Sequence, residues 1–490
     1  MNRAQLLIRA GIALQAAVFA ASCGYARTDP HPLRGRRAQI SHLLRRAAFG
    51  ADAETLDEYE ALGVNGAVER LLSVSDTEDE LDRRIRALGL DLKRLGDLQR
   101  WWLMRMTYSE HPLREKMVLF WHGLLTSGSA KVGLPNPTPQ NPNPPQYLLN
   151  QHTFFRAHAL DTYPAILGGI AKDPAMMVWL DAQTNNKNKP NENFARELLE
   201  LFTVGIGNFT ESDVRDVARA FTGRALENGV YAFRIANHDT GQKSVLGKRG
   251  ILRSEDVLAL LVDHPKTAER LSRRLWEYFA YRDPTPKDLQ PLVTAYVATG
   301  GSVKEMLRAL FTSEAFYSPR AYRALVKGPA DFVVGTLRAL KATTTAANLP
   351  GVTTRMGQAL FNPPNVAGWP GGIDWLNTTT WIERTNFTNH VVTARNDANT
   401  TAPQFSLLLE KHGLRTPEQI LDFFADTLLD GQISAHMRRT LLAYLTSGQG
   451  DASPGLVGTK KKPAFKPGFV DQKVRGLVYL LLASPEYQLA

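Results

Sequence analysis

Asn193, Arg196, Glu197 and Glu200 bring an amide, a guanidinium and two carboxylates into one short stretch of the chain. At 100° per residue these four positions fall within roughly 100° of one another, while Phe194, Leu198, Leu199, Leu201 and Phe202 take the opposite, broader face. Two carboxyls held close together drive each other's proton affinities apart, so that one can keep a proton while the other stays charged. That is what general acid–base chemistry needs. In this arrangement Glu197 is the general acid or base and Glu200 its partner. Arg196 is a clamp for an anionic group, and Asn193 a hydrogen-bonding orienter. Glycan chemistry suits such a pair, but hydrolase, lyase and phosphotransferase are not distinguished by it. The same residues also admit two plainer uses. Glu192–Arg196 and Arg196–Glu200 are i,i+4 partners worth a few tenths of a kcal/mol on a solvated helix, and if sealed they would form a buried ion-pair network that fixes helix packing. No nucleophile elbow, zinc-binding HExxH word or phosphate-binding P-loop breaks the tie.

The elements around the four residues are clear in outline. A helix entering at Asn193 is stopped by Gly205, as a left-handed cap would stop it. Thr210 and Asp213 form the capping-box pattern of a second helix, which Gly223 ends. Before the first helix, residues 182–189 are polar and turn-prone, and a loop beside a rigid helix often carries function, so Asp181 and Asn185 join the candidates as substrate contacts. After Gly223, residues 230–235 alternate at period two, residues 238–243 make a turn and residues 244–247 make a return strand. In this one hairpin, His238, Asp239 and Lys243 sit at the tip, placed to close a cleft over the carboxylates. Residues 361–377 are too rich in proline and glycine for regular structure, yet contain Trp369 and Trp375. These two rings are either buried plugs or a stacking platform for a ligand.

Helical periodicity recurs from residue 42 to the end, so the fold class read from the sequence is mainly α, a multi-helix body with one small β-hairpin. The segment from Leu113 to about Ser127 is apolar on nearly every side and belongs at the centre of the core. Residues 132–146, dense in proline, form an extended surface loop. Residues 307–316 echo residues 477–487, each copy preceded by a helix, which suggests a duplicated helical pair over about 283–316 and 430–487.

Several long words in a fixed order carry a resemblance: Asn191 through Thr203, His42 through Gly50, Phe120-Trp121-His122, Ala171 through Met176, His238 through Lys243, and Pro363 through Gly372. Together they resemble the bacterial DUF1800 family from about residue 40 to the C-terminus. The resemblance implies an exported, mostly helical bacterial protein. It implies no reaction, because the family is defined without a known function.

The formal net charge of +10 favours anionic partners such as envelope polymers or lipid headgroups. No Cys/His finger pattern accompanies it, which counts against nucleic acid. Residues 455–467, with Lys460, Lys461, Lys462 and Lys466, read as a basic loop for an anionic envelope polymer or simply as a solvated charge run. The single cysteine, Cys23, rules out an intrachain disulfide. Arg3, the apolar run from Leu6 to Ala21 and the small residues before Cys23 have the shape of a signal peptide over 1–22. Cys23 itself resembles the lipid-attachment residue of a bacterial lipoprotein; the plainer reading is an amphipathic N-terminal helix with an incidental cysteine. Residues 23–41 then form a linker and 42–490 the helical region, in the periplasm or cell envelope, held to the membrane through the lipid anchor. No later stretch has 18 uninterrupted apolar residues. Cofactor and metal stay open at this level.

Overall fold

The computed structural model describes residues 32–75, 77–132, 144–395, 401–447, 456–457, 464–465 and 468–490. The signal segment, Cys23, most of the proline-rich loop and Lys460, Lys461, Lys462 and Lys466 lie outside the described residues. The chain is mainly helical, as its periodicity predicts. No helix among the described residues is long and apolar enough to cross a membrane.

The chain divides into two compact units. One takes the residues up to Ala67 with Tyr317–Gly357 and Gly371–Ala490; the other takes Val68–Phe316 with Gln358–Pro370. Each unit holds one copy of the echoed pair. In the second unit these are the helices Pro286–Ala298 and Val303–Thr312, followed by the 3-10 turn Glu314–Tyr317; in the first, Ala435–Thr446 and Arg475–Leu482, followed by Glu486–Gln488.

At the centre of the second unit is the helix Pro112–Leu124, in which every residue but Gly123 is buried. Proline at its first turn costs nothing, because that N–H has no helical partner. Trp121 donates its indole N–H to the Ala159 carbonyl at 3.0 Å, and Trp102 packs edge-on against both His122 and His152. Burial among these rings lowers His122 to about 3, so it is a neutral core histidine. The glycine-rich loop seats itself on the same helix. At Gly368, φ is +88°, and a Cβ there would meet the Gly123 carbonyl oxygen at 2.2 Å.

Charge is buried here too. Arg156 donates to Glu115 at 2.8 Å and to Glu78 at 2.9 Å, and Arg114 also pairs with Glu78. Burial opposes the Glu78 charge, but the Ser109 hydroxyl and the three guanidiniums of Arg114, Arg156 and Arg105 hold its carboxyl below the usual range.

The strands depart from the sequence expectation. Val230–Phe233 pairs backward with Arg224–Glu227, and Lys243–Val245 pairs forward with Lys248–Gly250. Two hairpins therefore stand where the alternation predicts one. The 3-10 turn Ile235–Asn237 separates them, so strand 230–233 finds its partner across the nearer turn at Asn228-Gly229, where both residues have positive φ.

Candidate functional site

The helix bearing the carboxylates begins as an α-helix over Asn193–Glu197 and widens to a π turn over Leu198–Phe202. A π turn shifts the hydrogen-bond register by one residue and leaves carbonyls to be satisfied from outside, which is why such turns concentrate at functional sites. Here four of the five carbonyls have a donor from beyond the turn. Thr203 Oγ1 donates to Leu198 O at 2.6 Å, Arg270 Nε to Leu201 O at 3.0 Å, and the Tyr163 hydroxyl to Phe202 O. The Gly205 N–H donates to Leu199 O at 2.8 Å. Gly205 has φ of +85°, and a Cβ on it would sit 3.0 Å from Arg270 Nη1, so glycine both ends the helix and admits the arginine. The second helix, Glu211–Ala220, opens on the Thr210–Asp213 capping box, as its sequence predicts.

Glu197 and Glu200 are both half-buried. Neither has a hydrogen bond or an ion pair among the described residues. Burial raises the Glu197 carboxyl above the usual glutamate range, and the Glu200 charge raises it further against a smaller opposing pull from Arg196. A raised proton affinity on one carboxyl beside a second is what proton transfer calls for. Arg196 turns outward instead. It grips Glu211 with two bonds of 2.8 Å and reaches Glu192 at 3.2 Å, and these partners raise its pKa. A second cation beside the pair is Arg270, whose charge Glu200 supports without forming an ion pair. Its Nε is committed to Leu201, while its two Nη atoms make no hydrogen bond among the described residues.

The other candidates are held inside the fold's own bonds. His238 is buried, with Nδ1 2.9 Å from the Thr222 carbonyl. A carbonyl can only accept, so Nδ1 carries the proton, and Nε2 is sealed without a partner. Asp239 accepts from Arg219 and from the Gly241 N–H, each at 2.8 Å, and Arg219 holds its carboxyl below the usual range. Lys243 is buried and donates to the carbonyls of Asp239 and Gly241. These three residues build the turn that carries them. Asn185 ties three segments together: it donates to Ala218 O and accepts from the Asn191 N–H through its side chain, and accepts from the Gly223 N–H through its backbone. Asp181 pairs with Lys131 at 2.7 Å. Asn193 is exposed at the helix start, where its N–H donates to Asn191 Oδ1. Trp369 is half-buried in the second unit with its ring against His122, and Trp375 is buried in the first.

Of the predicted set, then, the structure joins Glu197 with Glu200. Arg270, Tyr163 and Thr203 complete the surroundings. The one sequence signal for Arg270 is its spacing of a single helical turn from Arg274 on the helix Pro265–Phe279. In the first unit a cleft of about 590 Å³ is lined by Arg355, Glu383, Asn386 and His390 among others, and contains none of the predicted residues. Among the described residues, no group of three His, Cys, Asp or Glu side chains is placed to hold a metal ion.

A family model described as "Protein of unknown function (DUF1800)" matches residues 42–489, and the chain belongs to that family. No curated protein and no solved structure matches it.

Proposed function

We propose that this DUF1800 protein is an exported envelope protein that uses Glu197 and Glu200 for acid–base chemistry on an envelope glycan or another anionic polymer. The observation that carries the reading is Glu197 itself, a half-buried carboxyl with raised proton affinity and no partner among the described residues. A fold that needs a carboxylate for packing gives it donors, as this fold does for Glu78, Asp213 and Asp239. Glu197 has none, and a carboxyl in that state is poised to exchange its proton with something that binds. Glu197 donates or accepts the proton and Glu200 supplies the second carboxylate. The Nη groups of Arg270 offer hydrogen bonds to an anionic substituent of the substrate. Export and lipid attachment rest on the segment before Cys23, and attraction to an anionic polymer on the charge of +10.

A second reading is a non-catalytic envelope scaffold or binding lipoprotein. It is favoured by the internal bonding of Arg196, Asp239, Lys243 and Asn185, which is the behaviour of structural residues. Incubating the purified protein with isolated anionic envelope polymers and following new chain ends separates the two. The enzyme reading predicts turnover that Glu197→Gln abolishes while the protein stays folded. Binding with no product from any polymer favours the scaffold, and turnover unchanged in both Glu197→Gln and Glu200→Gln overturns the carboxylate pair as the site.

A further inference from the structure

The first unit buries more cation than anion around one small cavity. The cavity has a volume of about 30 Å³, and Ser41, Arg45, Lys327, Thr427, Asp430 and Tyr487 are among its lining residues. Arg45 Nη1 grips both oxygens of Asp430, at 2.5 and 2.6 Å. That contact leaves Arg45 Nε and Nη2 buried with no hydrogen-bond partner. Lys327 is 7 % exposed, and no hydrogen bond or ion pair reaches its ammonium among the described residues. Its Nζ lies 3.4 Å above the centre of the Tyr487 ring, a contact that favours the charged form. The three hydroxyls of the lining are already committed, Ser41 to Asp430, Thr427 to the Phe423 carbonyl and Tyr487 to the Thr336 hydroxyl. Unsatisfied donors therefore face a shortage of acceptors.

The charge balance points the same way. Arg45 and Arg323 act on Lys327 here, opposed by Asp430 and Asp331: among these described residues, three cations against two carboxylates. Fully buried Arg46 adds a further positive charge, with Nε and Nη1 unpaired. An uncompensated buried cation is costly, and the usual resolutions are a counterion or loss of the proton. Water would supply an acceptor but no charge. A free volume of about 30 Å³ has room for at least one water-sized group, and a monatomic anion is of that size.

We propose that this cavity binds one small monovalent anion of the size of chloride, held by the Lys327 ammonium and the unpaired nitrogens of Arg45. Without it, burial pushes Lys327 well below the usual lysine range, with Arg45 and Arg323 adding to that effect and Asp430 and Asp331 opposing it. An anion in contact reverses the balance and keeps the ammonium charged over Tyr487. This site is independent of the carboxylate pair, and neither reading depends on the other.

Thermal unfolding of the full chain in sodium chloride and in sodium gluconate, at one pH and one ionic strength, tests the site. A ligand bound only by the native state raises the melting temperature with the logarithm of its concentration. Wild type should therefore melt higher as chloride replaces gluconate. Lys327→Met, similar in volume and uncharged, should lose that dependence, and in gluconate it should melt at or above wild type because one fewer buried cation is left unpaired. A wild type indifferent to chloride, or a chloride response kept in Lys327→Met, overturns the proposal. If Lys327→Met does not fold, crystals of the wild type grown in bromide decide it. An anomalous peak within hydrogen-bonding reach of Lys327 Nζ supports the site, and a cavity without one overturns it.

Discussion

Replacing Glu197 by glutamine changes the charge of the proposed site and almost nothing of its shape. In the folded protein the Glu197 carboxyl is half-buried without a partner among the described residues, and burial and Glu200 raise its proton affinity. The unfolded chain holds an ordinary glutamate, near pH ~4.3. Between that value and the raised folded one the native state binds more protons than the unfolded state. Stability therefore falls as pH rises through this window and stays lower above it. Solvent reaches this half-buried side chain, and screening keeps the expected cost of its charged form to about 0.3–1 kcal/mol. Glu197→Gln should thus gain about that much stability near neutral pH, and the gain should vanish below pH ~4. Urea unfolding of both proteins at the two pH values, with unchanged slope, measures it. An ordinary surface glutamate would give a change within about 0.5 kcal/mol at either pH. A sealed ion pair would give a loss of about 3–5 kcal/mol. A loss above ~1.5 kcal/mol, or a gain that persists at low pH, rules out an unpaired carboxyl of raised proton affinity at this position.

Three further outcomes follow from particular contacts. Thr203→Val keeps the shape of the side chain but leaves Leu198 O in the π turn without its donor; urea unfolding should register a loss of about 1–3 kcal/mol. Asp173 is buried and its pKa is pushed up to about 7 by burial, although Met176 N and Gln151 Nε2 both donate to its Oδ1. Its folded pKa lies above its unfolded one, so wild type should lose stability as pH rises from ~4 to ~7, whereas Asp173→Asn, which keeps an Oδ1 acceptor and a helix cap, should flatten that slope. Arg156→Leu removes the guanidinium that bonds Glu115 and Glu78; leaving those carboxylates short of charge in the core should cost about 3–5 kcal/mol in the same unfolding assay.

The sequence was most informative where structure is local. Gly205 and the Thr210–Asp213 capping box act within a few residues of themselves, and the apolar helix at Pro112–Leu124 announces its burial through composition alone. The π turn was beyond reach, because its carbonyls are satisfied by Tyr163 and Arg270, 39 and 69 residues away from their acceptors. Arg196 pairs with Glu211 across the elbow, a contact 15 residues apart that helical spacing cannot foresee. The single predicted hairpin became two because alternation marks a strand and does not identify its partner. His238, Asp239 and Lys243 look reactive as residue types, but only the fold reveals that their polar atoms close a turn. Lys327 and Arg45 are ordinary basic residues by sequence, and their shared burial depends wholly on chain segments far apart.

Nothing tests the carboxylate pair more directly than the proton affinity of Glu197, read by carbon-13 titration of the glutamate side-chain carboxyls and assigned by the resonance missing in Glu197→Gln. The expected result is a carboxyl that titrates above the ordinary glutamate range. In Glu200→Gln its midpoint should move down, because removing a neighbouring negative charge makes the carboxylate easier to form. A Glu197 resonance that titrates at or below the ordinary range, or one indifferent to the loss of Glu200, would contradict the acid–base reading of the pair.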